Sequence, residues 1–156
     1  MDRGAYISEC GRYRYSLWRQ WGPGDQVMFV GLNPSTADAT LDDPTVRRCI
    51  GFARAWGYGG LVLTNLFAWR ATSPRDMMAA DDPVGPDNDR VLRSAYAKAA
   101  LTVATWGAFG SHGGRHDAVR EMLPRLHCLR LTKGGHPGHP LYLPGGLRPV
   151  EWEVSA

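Results

Sequence analysis

Residues 131–146 read LTKGGHPGHPLYLPGG, a stretch whose three prolines and five glycines suit neither helix nor central strand. It nonetheless carries His136 and His139, together with Lys133 and Tyr142. Imidazole donates, accepts or carries a proton near neutral pH, so both histidines are candidates for stabilising or moving charge. Three further stretches are rich in Asn, His, Arg, Trp, Gly and Pro: GLNPSTAD (31–38), TNLFAWRAT (64–72) and ATWGAFGSHGGR (104–115). Each has an ordinary explanation when taken alone. NPS is a common turn, Asn65 at a strand end is as often a turn-former as a ligand, Trp69 can fill a core, and His-Pro pairs occur in plain loops. Their weight depends on whether the fold brings them to one place.

Other chemistries fit the residues poorly. No GxxxxGK[ST] or GxGxxG element follows a strand, which argues against a nucleotide-cradling loop of the usual kind. Ser35 and Ser111 lack the GxSxG elbow of common serine hydrolases. His112 and His116 are four residues apart but have no clear third ligand, and HExxH is absent, so no metal or other cofactor is expected.

Elements that could position these residues follow from apolar periodicity. QVMFVGL (26–32), GLVLTNLF (60–67), LTVATWG (101–107) and HCLRLT (127–132) read as short buried strands. DDPTVRRCIGFARAW (42–56) reads as a helix, with Asp43 as N-cap, Pro44 in the first turn, and Val46, Cys49, Ile50 and Ala53 on one face. Helices are also expected at 85–100, with Leu92, Ala95, Tyr96 and Ala99 as its stripe, and at 115–126, with Val119, Met122 and Leu123 inward. The opening AYISECGRYRYSLWRQWG suggests a β-hairpin or edge strand. The alternation implies a three-layer α/β sandwich around a mostly parallel central sheet, with residues 1–156 as a single domain. In such sheets ligands bind beyond the carboxyl ends of the strands, which is where all four chemistry-bearing stretches fall.

Composition adds bounds. An apolar share of 44% is enough for a real core, and no run approaches the ~18 apolar residues of a membrane span. Cys10, Cys49 and Cys128 form neither a CxxC pair nor a disulfide framework, so a cytoplasmic protein without a signal peptide is the expectation, with no membrane partner and a monomeric state. A net charge of +3 permits a polyanionic partner without requiring one.

In order and strand context, residues 26–143 resemble the uracil-DNA glycosylase superfamily. GLNPS resembles its first motif, and VLTNLFAWRAT its second-strand segment, in which an Asn reads the edge of a flipped base. VATWGAFG resembles its glycine-bearing third-strand segment, and GHPGHPL its HP motif, which supplies the leaving-group histidine. Nearly the whole chain more closely resembles a bacterial family, domain of unknown function 1643, through RYSLWR, GLNPSTAD, DDPT, NLFAWRAT, WG and GHPGHPLY. STAD and DDPT lie outside the glycosylase pattern, and three cysteines do not suffice for the four-cysteine iron–sulfur cluster of some superfamily members. The doubled HPGHP leaves the equivalent histidine open between His136 and His139; His139 is preferred because Leu141 and Leu143 could seat it.

The resemblance implies a uracil-DNA glycosylase-like fold and a base-directed, DNA-processing hydrolase of repair or modification that cleaves an N-glycosidic bond. Asn33 would orient water, with a carboxylate from Asp38, Asp42 or Asp43 as base, and His139 would stabilise the departing base. Gly31, Leu32, Pro34, Ser35, Asn65 and His136 would surround the base, with Phe67 or Trp69 as stacking surface. Arg70 and Lys133, with the backbone of Gly134 and Gly135, would hold phosphates. DNA is the expected partner, with RNA or a free nucleotide as alternatives. A non-catalytic nucleic-acid-binding module, or an enzyme of free nucleosides or nucleotides, are the competing functions. A free-nucleoside enzyme would show a deep pocket without a basic rim.

Overall fold

The computed structural model describes residues 1–152; the last four residues of the expected 1–156 domain lie outside the described residues. The chain forms an α/β fold around one seven-stranded mixed sheet. The strands are β1 (Asp2–Ile7), β2 (Arg14–Gln20), β3 (Gln26–Gly31), β4 (Gly60–Asn65), β5 (Leu101–Ala104), β6 (His127–Cys128) and β7 (Val150–Glu151), in spatial order β1-β2-β4-β3-β5-β6-β7. The helices are α1 (Pro44–Ala55), α2 (Pro74–Met78), α3 (Asn88–Lys98) and α4 (Arg115–Met122).

The expectation of a mostly parallel sheet is corrected. β4, β3, β5 and β6 run parallel, but β1 with β2, β2 with β4, and β6 with β7 are antiparallel. The N-terminal segment is a hairpin, as read, and β2 adds to the edge of β4 so that the hairpin extends the sheet. At the other edge, β6 shrinks to two residues and is covered by β7, a strand with too little apolar periodicity to be recognised.

β3 is buried on both faces, which explains its unbroken apolar run. Val27 and Phe29 face a core that includes Val46, Cys49, Phe52 and Ala53 of α1. Met28 and Val30 face the opposite core, with Leu92 of α3, Val119 of α4 and Leu123 just beyond α4. Ile50 and Met122, read as inward, are only partly buried, and Phe52 takes a core position instead. The α1 start is as its sequence suggests: Asp43 Oδ1 accepts the Val46 N–H at 2.9 Å, and Pro44 opens the first turn. α2 went unrecognised in an irregular stretch, although Ser73 caps it and Pro74 opens it.

β3 and β4 leave the sheet centre in one direction, while β5 and β6 continue in the other. The reversal creates a crevice beyond the carboxyl ends of the central strands. Among the described residues no helix is long and apolar enough to cross a membrane.

Candidate functional site

A cleft of about 590 Å³ occupies that crevice. Its walls come from Gly31–Thr36 after β3, Thr64 and Asn65 at the end of β4, and Thr105–Phe109 after β5. Thr132, His139, Leu141 and Tyr142 follow β6, and Asp43–Val46 bring in the first turn of α1. All four strand-end stretches therefore share one cavity.

Backbone bonds join these stretches beyond the sheet. Leu66 and Phe67 N–H groups donate to the Gly31 and Leu32 carbonyls, and Ala71 N–H donates to Pro34. Gly107 N–H donates to the Pro137 carbonyl at 2.8 Å, linking the loop after β5 to the histidine loop. Asn33 adds a side-chain tie, since its Nδ2 donates to the Ala71 carbonyl at 2.9 Å and to the Pro34 carbonyl at 3.2 Å. With the amide nitrogen committed to the protein, its Oδ1 is the polar atom left for a ligand or water.

Asn65 is 5% exposed and lines the cleft, yet its buried Nδ2 has no hydrogen-bond partner in the protein. An unspent buried amide costs about 1–3 kcal/mol, and this one belongs to a residue lining the cleft. Its backbone, by contrast, is held firmly. Asn88, fully buried on α3, donates through Nδ2 to the carbonyls of Asn65 (3.0 Å) and Leu66 (2.9 Å), and Arg115 Nε donates to the same Leu66 carbonyl. Gly31 makes the room: a Cβ there would lie 2.8 Å from Asn65 Oδ1.

His139 caps the short 3-10 turn Pro140–Tyr142, and its Nδ1 accepts the Leu141 N–H at 3.2 Å. That bond assigns the proton of the neutral ring to Nε2, making Nε2 a donor. Burial lowers the His139 pKa and so favours the neutral ring, against the opposing effect of the Asp43 charge.

The three candidate carboxylates separate clearly. Asp38 closes a local turn by accepting the Thr40 and Leu41 N–H groups, which lower its pKa, and it does not line the cleft. Asp42 pairs with the fully buried Arg19 at 2.9 Å. Asp43 lines the cleft and uses Oδ1 to cap α1. Gly31, Leu32, Pro34 and Ser35 also line it, as expected.

Several expected residues do not. Phe67 is core, with its ring beside His112, and Trp69 packs edge-on against Tyr13 with Arg12 over its face. Arg70 donates to the Gly11 carbonyl, so AWR docks the turn of the hairpin rather than a ligand. His136 faces His116, and Lys133, Gly134 and Gly135 form an exposed turn away from the cavity. The aromatic surface at the cleft comes instead from Phe109 and Tyr142, which are 51% and 86% exposed.

Arg14 was missed altogether. It lies in β2, is 4% exposed, and lines the cleft; its Nη1 donates to the Ala37 carbonyl at 3.1 Å, while its buried Nε has no partner. The available signal was an arginine inside a β-type run, RYRYSLWR, where a strand buried on one face forces its charge to find a partner. Among the described residues no group of three or more His, Cys, Asp or Glu is placed to share a metal ion.

No curated protein and no solved structure matches the chain. The family model described as Protein of unknown function (DUF1643) matches residues 14–141, and the chain belongs to that family.

Proposed function

We propose that the cleft binds a nucleobase and that the protein hydrolyses its N-glycosidic bond. The observation that carries this reading is the buried, unpartnered Asn65 amide sharing a cavity with Asn33, Asp43 and His139. A planar base presents adjacent donors and acceptors along one edge, which an amide matches with both its atoms. The resemblance of GLNPS, VLTNLF and GHPGHPL to uracil-DNA glycosylase motifs supports the tasks given to Asn33, Asn65 and His139; Asp43 lies outside those motifs. The uracil-DNA glycosylase-like form of the fold, with helices on both faces of its parallel strands, belongs to this proposal.

In the reaction, water bonds to the anomeric carbon as the carbon–nitrogen bond breaks and its electron pair leaves with the base. Asn33 Oδ1 orients the water, and the Asp43 carboxylate takes its proton. His139 Nε2–H donates to the base oxygen on which negative charge grows; one donor so placed is worth about 3 kcal/mol. Phe109 and Tyr142 offer the stacking faces that Phe67 and Trp69 do not.

The test is release of base from oligonucleotides carrying uracil, hypoxanthine, mismatched thymine or hypermodified pyrimidines, and from the corresponding nucleosides and nucleotides. Release is expected from one of them, with His139→Ala and Asp43→Asn each slowing it by roughly a hundredfold. No release from any substrate, with wild-type protein folded and Asn65→Ala indistinguishable from it in base binding, contradicts the reading.

A free nucleoside or nucleotide is favoured over a strand by one observation. Of the chain's 18 Lys and Arg residues, Arg14 alone lines the cleft among the described residues, and it is buried. A groove for DNA or RNA would place several cations along the phosphate path.

A further inference from the structure

We propose that Arg14 is the anchor for an oxyanion of the ligand, and that the ligand is a nucleotide whose phosphate lies against the wall formed by β2 and the first turn of α1. This rests on the reading of the cleft as a base site and names the rest of the molecule bound there.

The protein leaves the Arg14 charge incompletely satisfied. The side chain is 96% removed from solvent, since 4% remains exposed, and one of its nitrogens is bonded to the Ala37 carbonyl. Its Nε is buried without a partner, and no carboxylate lies within ion-pair distance of it among the described residues. Asp43 is a carboxylate on the same cleft, but it uses Oδ1 to cap α1 and does not pair with Arg14. Burial pulls the Arg14 pKa down to about 10, against the Asp43 charge that favours the cation, with Arg70 and Arg19 adding to the depression and Asp38 opposing it. A desolvated guanidinium is expensive unless it is paired, and an incoming oxyanion supplies the pair.

Arg19 shows what a buried arginine looks like when the fold uses it entirely. Lying five residues further along β2, it pairs with Asp42 at 2.9 Å and donates to the carbonyls of Gly4, Trp18, Asp38 and Leu41. Arg14 has one such bond.

The surroundings favour phosphate over carboxylate. Three hydroxyl-bearing residues, Ser35, Thr36 and Thr45, line the same cleft. A carboxylate has two oxygens to satisfy, whereas a phosphate has three or more and benefits from donors on several sides. The positions expected to hold phosphate, Arg70, Lys133, Gly134 and Gly135, are all outside the cavity.

Two measurements test the assignment on the full chain. The first follows the Arg14 Nε–H resonance by NMR during titration with inorganic phosphate. A saturable shift is expected, and an unmoved resonance at phosphate concentrations that saturate mononucleotide binding overturns the proposal. The second compares calorimetric affinities for pyrimidine and purine nucleosides, their 5′-monophosphates, and short single-stranded oligonucleotides. For the base the site accepts, the monophosphate should bind at least tenfold tighter than the nucleoside. Arg14→Gln should weaken it roughly ten- to a hundredfold and remove most of its margin over the nucleoside, while Arg14→Lys retains part of the gain.

Equal affinity for nucleoside and monophosphate overturns the Arg14 assignment and leaves base recognition standing. Phosphate shifting the resonance while no nucleoside binds preserves Arg14 and removes the base reading. Tighter binding of the oligonucleotide than of the monophosphate assigns the phosphate to a strand and overturns the free-nucleotide form of the proposal. If Arg14→Gln fails to fold because the Ala37 contact is lost, the wild-type titrations still decide.

Discussion

His139 illustrates how a residue's chemistry is set by its immediate bonds. The Leu141 N–H directed at Nδ1 leaves Nε2 as donor, and burial disfavours the imidazolium. Because the folded pKa lies below the unfolded one, the folded state resists taking up the proton. Its contribution to stability is complete above the ordinary histidine range and is lost as pH falls toward the folded value. An NMR titration of the histidine ring should therefore give a midpoint below 6.5, with the Leu141 amide reporting the same transition. A midpoint at or above 6.5 would contradict a neutral donor. At this scale the sequence was partly legible: Asn33, Asn65 and His139 follow from strand-end position together with the motif resemblance, Asp43 is one of three carboxylates that the sequence leaves open, and all four line the cleft. Phe67 and Trp69 were misplaced because strand-end aromatics serve core and ligand equally well. Only the packing of Trp69 against Tyr13, across a contact of 56 residues in sequence, decides between them.

Elements depend on contacts of a different kind. The loop from Asn33 to Asp43 is long and irregular, and β2 holds it through Arg14 at the Ala37 carbonyl and Arg19 at Asp38, Leu41 and Asp42. This gives STAD and DDPT a physical role that the glycosylase pattern does not: they are the segments the hairpin arginines grip. Asp42→Ala leaves the buried Arg19 without its counter-charge and should lower stability by about 3 kcal/mol in chemical denaturation. A loss under about 0.5 kcal/mol, the range of ordinary surface changes, would show that the carbonyls alone satisfy Arg19. The helix N-cap at Asp43 could be read from DDPT, since the signal is local. β7 and the addition of β2 to β4 could not, because strand pairing is decided by partners distant in sequence.

At the scale of the molecule, the feature that matters is the reversal of strand order between β3 and β5, which opens the cleft. Four parallel strands alternating with helices make its location legible in the sequence, since the carboxyl edge follows from strand direction alone. The mixed character of the sheet did not, nor did the charge of the cavity. Of the cations counted in the composition, Arg19 and Arg115 are buried away from the cleft and one arginine from the antiparallel hairpin, Arg14, lines it. The hairpin thus contributes to the sheet, to the loop after β3 and to the cleft wall at once.

The most direct test is a crystal structure of the protein soaked in turn with uracil, thymine, cytosine, hypoxanthine and adenine. One base should lie in the cleft with its edge within hydrogen-bond distance of the Asn65 amide and an exocyclic oxygen or ring nitrogen facing His139 Nε2. A base bound elsewhere, or a cleft that stays filled only with water while the Asn65 amide finds its partner within the protein, would contradict base recognition at this site.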